Sequence, residues 1–263
     1  MCSKARCGFL FFFYFKIKKA CTFAVSYNII KNIRMKKILA LSVHLFTSSG
    51  IVTALLSIIA IAHHEWREAM LWLWVCFIID GLDGTFARLA NVKETLPDWD
   101  GKTIDYVIDF CTYAVIPAYF MYEAPMLGEA WRFPIAAIVL LTSAMYYGKM
   151  GMVSTDNYFI GFPVLWNFVI FYQFFVFQTS ETTNIITTLL LCVLHFVPIK
   201  VPYPSQSLGF RWLHMVALTV AILSNALLLY YYPAVNSILN GLSMLFLAYV
   251  TVWSAFATMK FKR

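Results

Sequence analysis

Runs of about twenty apolar residues, broken by short polar clusters, recur along almost the whole chain. A helix needs roughly 20 such residues to cross the hydrocarbon core of a bilayer. The pattern predicts eight spans, at 38–62, 69–90, 103–125, 133–152, 161–178, 183–199, 212–232 and 236–257. The connections are short, with no internal repeat and no low-complexity linker. The expected fold class is therefore an all-α integral membrane protein, a polytopic helical bundle forming one domain over residues 35–263. The first 34 residues break the pattern. "GFLFFFYF" is apolar for only eight residues before "KIKK" interrupts it, which is too short to span and lacks the apolar centre and cleavage site of a signal peptide. Met35, Lys36 and Lys37 precede a clean span, so residues 1–34 are expected to be a dispensable N-terminal extension.

Composition supports this reading. The chain is 61% hydrophobic and 13% charged, with a mean hydropathy of +0.73, whereas a soluble domain is about a quarter charged. The formal charge of +7 does not point to nucleic acid, because the basic residues sit at the ends of apolar runs, where membrane topology places them. With the N-terminus in the cytoplasm, the cytoplasmic ends carry Arg34, Lys36, Lys37, Arg88, Lys93, Lys102, Lys149, Lys200, Arg211, Lys260, Lys262 and Arg263, against only Arg67 and Arg132 opposite. Both termini and the loop at 91–102 are thus expected to face the cytoplasm. The six cysteines (Cys2, Cys7, Cys21, Cys76, Cys111 and Cys192) show no ligand spacing, so neither a zinc site nor a disulfide framework is expected.

The acidic residues change the picture. Of thirteen, all but Asp80, Asp83, Asp105 and Asp109 fall in loops or near span ends. A charge at mid-membrane costs a few kcal/mol even on lenient scales, so four in two consecutive spans imply a use. Asp80 and Asp83 are three apart and Asp105 and Asp109 four apart, so each pair shares a helix face. Gly84, Ala87 and Arg88 continue the first stripe, Gly101 begins the second, and Pro97 helps separate the helices. Two antiparallel helices would aim four carboxylates at one point just inside the cytoplasmic boundary. Such a cluster cannot stay ionised without cations. Two hard divalent ions, Mn²⁺ or Mg²⁺, would neutralise it and suit phosphoryl transfer. Small residues leave room for a polar group, and Arg88 can hold a phosphate. An ion transporter using the aspartates as its transport site is the alternative from another class, though no inverted repeat or broken mid-membrane helix supports it.

These residues resemble the CDP-alcohol phosphotransferase motif. Asp80, Gly81, Asp83, Gly84, Ala87 and Arg88, then Gly101, Asp105 and Asp109, fill every fixed position of Asp-Gly-x-x-Asp-Gly-x-x-Ala-Arg followed by Gly-x-x-x-Asp-x-x-x-Asp. The resemblance implies a core of six helices, two metal ions held by the four aspartates, Asp109 as general base as well, and a homodimer. Two departures matter. The linker "LANVKETLPDWD" is longer than is usual in the family, and with "DYVIDFCTYAVIPA" and eight spans it is similar to the bacterial phosphatidylcholine synthases. In the first span, "HLFT" stands where many members have Asn-x-x-Thr, so Thr47 is carried over as a cytidine contact while His44 has no assigned role.

The implied reaction is transfer of a phosphatidyl group from CDP-diacylglycerol to choline with release of CMP, in the bacterial inner membrane with the site facing the cytoplasm. Inositol, serine or glycerol phosphate are the alternative acceptors. Choline cannot donate a hydrogen bond from nitrogen, so aromatic faces should hold it. Trp99, Tyr106, Tyr113, Tyr146 and Tyr147 are the candidates near the motif.

Overall fold

The computed structural model describes residues 4–203, 211–234 and 236–261, with side chains from residue 31 onward except at 211, 260 and 261. Its helices are α1 (Lys4–Ala62), α2 (Trp66–Leu89), a short α3 (Val92–Thr95), α4 (Gly101–Glu123), α5 (Glu129–Tyr147), α6 (Trp166–Val176), α7 (Glu181–Leu194), α8 (Arg211–Tyr231) and α9 (Ser237–Phe261). One small sheet pairs β1 (Tyr158–Ile160) antiparallel with β2 (Lys200–Pro202). The protein is an all-α, multi-pass integral membrane protein. Among the described residues, six helices are long and apolar enough to cross a bilayer, at Lys31–Ala62, Trp66–Leu89, Gly101–Glu123, Glu129–Tyr147, Trp212–Tyr231 and Ser237–Met259.

The fifth and sixth apolar regions are helical where expected but shorter than spans. α6 has 11 residues and α7 has 14, so at about 1.5 Å per residue neither reaches across a core of about 30 Å. Local chemistry sets these limits. Gln178 takes a left-handed φ of 46° after α6, and Ser180 caps α7 by accepting from the Thr183 amide. Protein rather than lipid surrounds much of α6, whose Trp166, Asn167, Ile170, Phe171, Tyr172, Gln173 and Phe175 are buried. Irregular backbone at membrane depth survives only under such cover.

The backbone of the N-terminal extension is helical from Lys4 and continuous with the first span. Its side chains as far as residue 30 lie outside the described residues, Cys7 and Cys21 among them, as does Cys2 altogether. Cys76, Cys111 and Cys192 are free thiols.

The chain divides into two compact units. The first joins the chain up to Thr47 with Leu82–Gly101. Its apolar centre is Ala40, Val43 and Val92, with Ala87, Ala90 and Leu96 against them. The second joins Ser48–Gly81 with the chain from Lys102 onward. It has a large aromatic core in which Trp74 meets Phe168 and Phe171 edge-on at centroid distances of 5.0 and 5.6 Å. Because lipid is as apolar as leucine, helices in a membrane gain specificity from small residues and hydrogen bonds. Ser57 donates to the Ala69 carbonyl at 2.9 Å, Trp166 Nε1 to Ser143 Oγ at 2.8 Å, Asn184 Nδ2 to the Met126 carbonyl at 3.0 Å, and Tyr172 Oη to the Ser243 carbonyl at 3.0 Å.

The sheet is anchored by charge. Lys200 Nζ lies 2.7 Å from Asp156 Oδ2, with Ser154 also donating to that carboxylate. The bond from Lys200, aided by the one from Ser154, holds the Asp156 carboxyl below its ordinary range. The Lys200 amide donates to Thr258 Oγ1 on α9 at 2.8 Å.

The turn between β1 and α6 depends on one glycine. Gly161 adopts a φ of +93°, and its amide donates to the Ile199 carbonyl at 2.8 Å. The Phe162 amide donates to the Leu194 carbonyl at 2.9 Å, and the Phe162 carbonyl accepts from His195 Nδ1 at 2.6 Å. A Cβ at position 161 would overlap the His195 carbonyl. Gly161→Ala is therefore expected to cost about 1–3 kcal/mol or more in strain, read as a lower thermal midpoint in detergent. Gly148→Ala, whose added Cβ would make only ordinary contacts at 3.6 and 3.7 Å, should melt like the parent; equal melting of both variants would refute the account of this turn.

Candidate active site

The last turns of α2 carry Asp80, Asp83, Gly84, Ala87 and Arg88, and the first turns of α4 carry Gly101, Asp105 and Asp109. In the second unit, Asp80, Asp105 and Asp109 each offer a carboxylate oxygen within 4.8 Å of the other two, and all three are half-buried. Hard divalent cations take carboxylate oxygens at about 2.0–2.6 Å, so two oxygens on one ion stand roughly 3 Å apart when adjacent and at most about 4–5 Å when opposite. The trio lies within that limit and fits such an ion.

Tyr113 is bonded into the trio. Its hydroxyl donates to Asp80 Oδ2 at 2.7 Å, and the residue is only 5% exposed. Sequence reasoning had Tyr113 only as an aromatic face for choline and missed this bond. The local cause lies in the backbone of α4, which widens into a π-helical turn over Cys111–Val115, just before Pro117. Proline has no N–H for the carbonyl four residues back, and its ring crowds that carbonyl. In a plain α-helix each four-residue step advances by about 40° around the axis, so a series begun at Asp105 and Asp109 drifts. The wider turn takes the drift back and keeps Tyr113 in line with the aspartates. Pro117 four residues after Tyr113 was the signal available in the sequence.

Tyr147 closes α5 beside the same trio. Its ring lies 6.2 Å from that of Tyr106 and 5.7 Å from that of Phe110, both edge-on. Its phenol is an electrostatic neighbour of Asp109, Asp80 and Asp105. Tyr146, next in the chain, packs instead on His195 at 5.2 Å.

Asp83, Gly84, Ala87, Arg88 and Gly101 belong to the first unit. Asp83, 8% exposed, is not in the trio, and its carboxylate accepts a hydrogen bond from the Thr47 hydroxyl. That hydroxyl also lies 3.3 Å from the Val43 carbonyl, so its single proton serves one acceptor at a time. Arg88 is exposed and its Nη2 donates to Thr85 Oγ1 at 3.0 Å. The nearest neighbour to a Cβ placed at Gly84 would be Arg88 Nη1 at 3.5 Å, so the backbone there is open. Ala87 packs at the edge of the small apolar centre. Gly101 has a different reason to be glycine: a Cβ there would come 3.0 Å from His44 Cε1. The His44 ring is 6% exposed and stacks on Trp99 at 5.9 Å, and its Nε2 is buried with no hydrogen-bond partner among the described residues. The sequence left His44 without an assigned role, and its contact with Gly101 could not be read from spacing.

No protein-family model matches the chain. Curated relatives do. A phosphatidylcholine synthase of Rhizobium meliloti (strain 1021) is 42% identical over 179 residues, 68% of this chain and 74% of the relative. One of Pseudomonas aeruginosa is 38% identical over 208 residues, 79% of this chain and 87% of the relative. One of Borreliella burgdorferi is 34% identical over 241 residues, 88% of this chain and 98% of the relative.

The Gly101 contact is open to a direct test. Gly101→Ala should cost about 1–3 kcal/mol of stability through overpacking. Combined with His44→Ala, which removes the opposing ring, it should cost clearly less than the two single changes added together. Thermal or denaturant melts of the four proteins make the cycle, and strictly additive costs would show that the two residues do not press on one another.

Proposed function

The chain belongs to the phosphatidylcholine synthase family, and from that premise we propose that it transfers the phosphatidyl group of CDP-diacylglycerol to choline and releases CMP. The meeting of Asp80, Asp105 and Asp109 within 4.8 Å, at helix ends in a membrane protein, carries the proposal. A charged phosphate reaction on a lipid needs polar ligands at the edge of an apolar layer, and this arrangement supplies them. The excess of Lys and Arg on one side supports a cytoplasm-facing site in the bacterial inner membrane.

The proposed ligands are Asp80, Asp83, Asp105 and Asp109, for Mn²⁺ or Mg²⁺, two ions in all. Bound there, the metal neutralises the carboxylates and stabilises the charge that gathers on phosphate oxygens. The chain's own groups do the rest. Asp109 takes the proton from the choline hydroxyl. The freed oxygen pair forms a bond to the phosphorus bearing diacylglycerol, and the bond from that phosphorus to the bridging oxygen breaks, its electrons leaving with CMP. The planar guanidinium of Arg88 offers a fork of donors to the donor's phosphates. Gly84 lets those phosphates approach the backbone, with Ala87 and Gly101 keeping the facing surfaces small. Thr47 exchanges its bond to Asp83 for one to the cytidine. Tyr113 keeps Asp80 Oδ2 occupied, so that the carboxylate has one orientation. Alignment and electrostatic stabilisation supply most of the acceleration in such a transfer.

Protein purified into liposomes with CDP-diacylglycerol and Mn²⁺ should release CMP on addition of choline, but not of inositol, serine or glycerol phosphate, and chelator should stop it. Asp109→Asn should lower the rate by about 10²–10⁴-fold, the typical cost of losing a general base, while still binding the donor. Turnover in excess chelator, or a choline-dependent rate near the parent in Asp109→Asn, would overturn the mechanism. Tyr113→Phe should weaken Mn²⁺ binding by roughly 10–100-fold, as loss of an outer-shell partner does, with the Mn²⁺ spin-resonance signal as readout. Unchanged Mn²⁺ affinity would show that Tyr113 does not position Asp80.

A further inference from the structure

Choline presents a fixed positive charge wrapped in methyl groups, with its reactive hydroxyl two carbons away. No hydrogen-bond donor exists on the nitrogen, so recognition has to come from aromatic faces and from a negative field. The five aromatic candidates named by the sequence are separated by the structure. Trp99 is stacked on His44 in the first unit. Tyr146 packs on His195. Tyr113 is 5% exposed with its hydroxyl committed to Asp80. Tyr106 and Tyr147 remain, with rings edge-on at 6.2 Å, and Phe110 backs Tyr147 at 5.7 Å.

Their position relative to the acids is what matters. Tyr106 follows Asp105 directly and precedes Asp109 by three residues on α4, and Tyr147 is an electrostatic neighbour of Asp109, Asp80 and Asp105. An acceptor whose hydroxyl meets Asp109 would carry its nitrogen a short way off, at the distance of a neighbouring side chain. Tyr106 is 46% exposed, so its ring is open to a ligand. Edge-on packing leaves the face of one ring turned to the edge of the other, which builds a corner rather than a flat wall. A corner offers two aromatic surfaces to one cation, and the carboxylates supply the field that draws it in.

We propose that Tyr106 and Tyr147 hold the quaternary ammonium of the acceptor and thereby select choline over uncharged alcohols. This rests on the reading of choline as acceptor. The two tyrosines are specificity residues: they bind the nitrogen and take no part in proton transfer. Phe110 sets the tilt of Tyr147.

The test is steady-state kinetics of CMP release by the purified full chain in liposomes, varying choline at saturating CDP-diacylglycerol and Mn²⁺. Tyr106→Leu and Tyr147→Leu should each raise the KM for choline by roughly two- to thirty-fold, the range expected for one cation–π contact. The KM for CDP-diacylglycerol should stay at the parent value. Tyr106→Phe and Tyr147→Phe keep the ring and should return the choline KM to near the parent. If both leucine variants keep the parent choline KM, the corner does not hold the nitrogen, while choline as acceptor stands on the parent's own turnover. Phenylalanine variants as impaired as the leucine ones would place the effect on the hydroxyls and overturn the proposal as well. Should Tyr147→Leu fail to fold, the exposed Tyr106 decides the matter alone. A parent enzyme that releases CMP with another alcohol but not with choline would remove the underlying reading along with the corner.

Discussion

Three carboxylates in one small space repel one another, and the rest of the site can be understood as a response. Within 4.8 Å of one another, and at an effective dielectric near 20, each ionised pair costs on the order of 3 kcal/mol or more. Such a cluster holds its shape only if the helices carrying it are fixed by other contacts and if something positive or donating offsets the charge. The phenol of Tyr113 is one such donor, placed by the backbone rather than by chance. A divalent cation between the oxygens would be the larger offset. The repulsion that makes the cluster unfavourable when empty is also what would make it bind a hard cation well.

The framework that resists this repulsion is unusual for its polar economy. Most of the apolar surface faces outward, as lipid allows, and single hydrogen bonds between helices fix their relative positions. Ser57, Ser143, Asn184 and Tyr172 each reach from one helix to the backbone or side chain of another element. α6 and α7 fit the same logic. Being short, they leave irregular backbone at their ends, and that backbone is satisfied by paired amides and carbonyls around Gly161, Phe162 and His195.

Much of this was legible in the chain. The apolar runs located five of the six described membrane-capable helices to within a few residues at both ends, because hydropathy reports directly on a bilayer; for the first helix they fixed the end but not the start, since α1 runs on from Lys4. The aspartate spacing put Asp105 and Asp109 on one face, because helical period is a local property. What stayed hidden depended on contacts. Hydropathy counts apolar residues without knowing whether lipid or protein will cover them, so 161–178 and 183–199 read as spans although α6 and α7 are too short to be spans. Spacing gave Gly101 a place in the motif but no reason, and the reason is the imidazole of His44. Thr47 could be carried over as a nucleotide contact, yet its bond to Asp83 becomes visible only when two stretches far apart in sequence are seen together.

The π-helical turn at Cys111–Val115 has a consequence for how this span can change over evolution. It works as a slip joint between two lengths of helix. The stretch before it sets the azimuth of Asp105, Tyr106 and Asp109, while the stretch after it, with buried Ile116, Phe120 and Met121, answers only to its packing neighbours. In an uninterrupted helix, any residue gained or lost would rotate everything beyond it by about 100° and spoil one half or the other. Here the joint can absorb such a step, so the chemical half and the packing half are free to diverge under separate pressures.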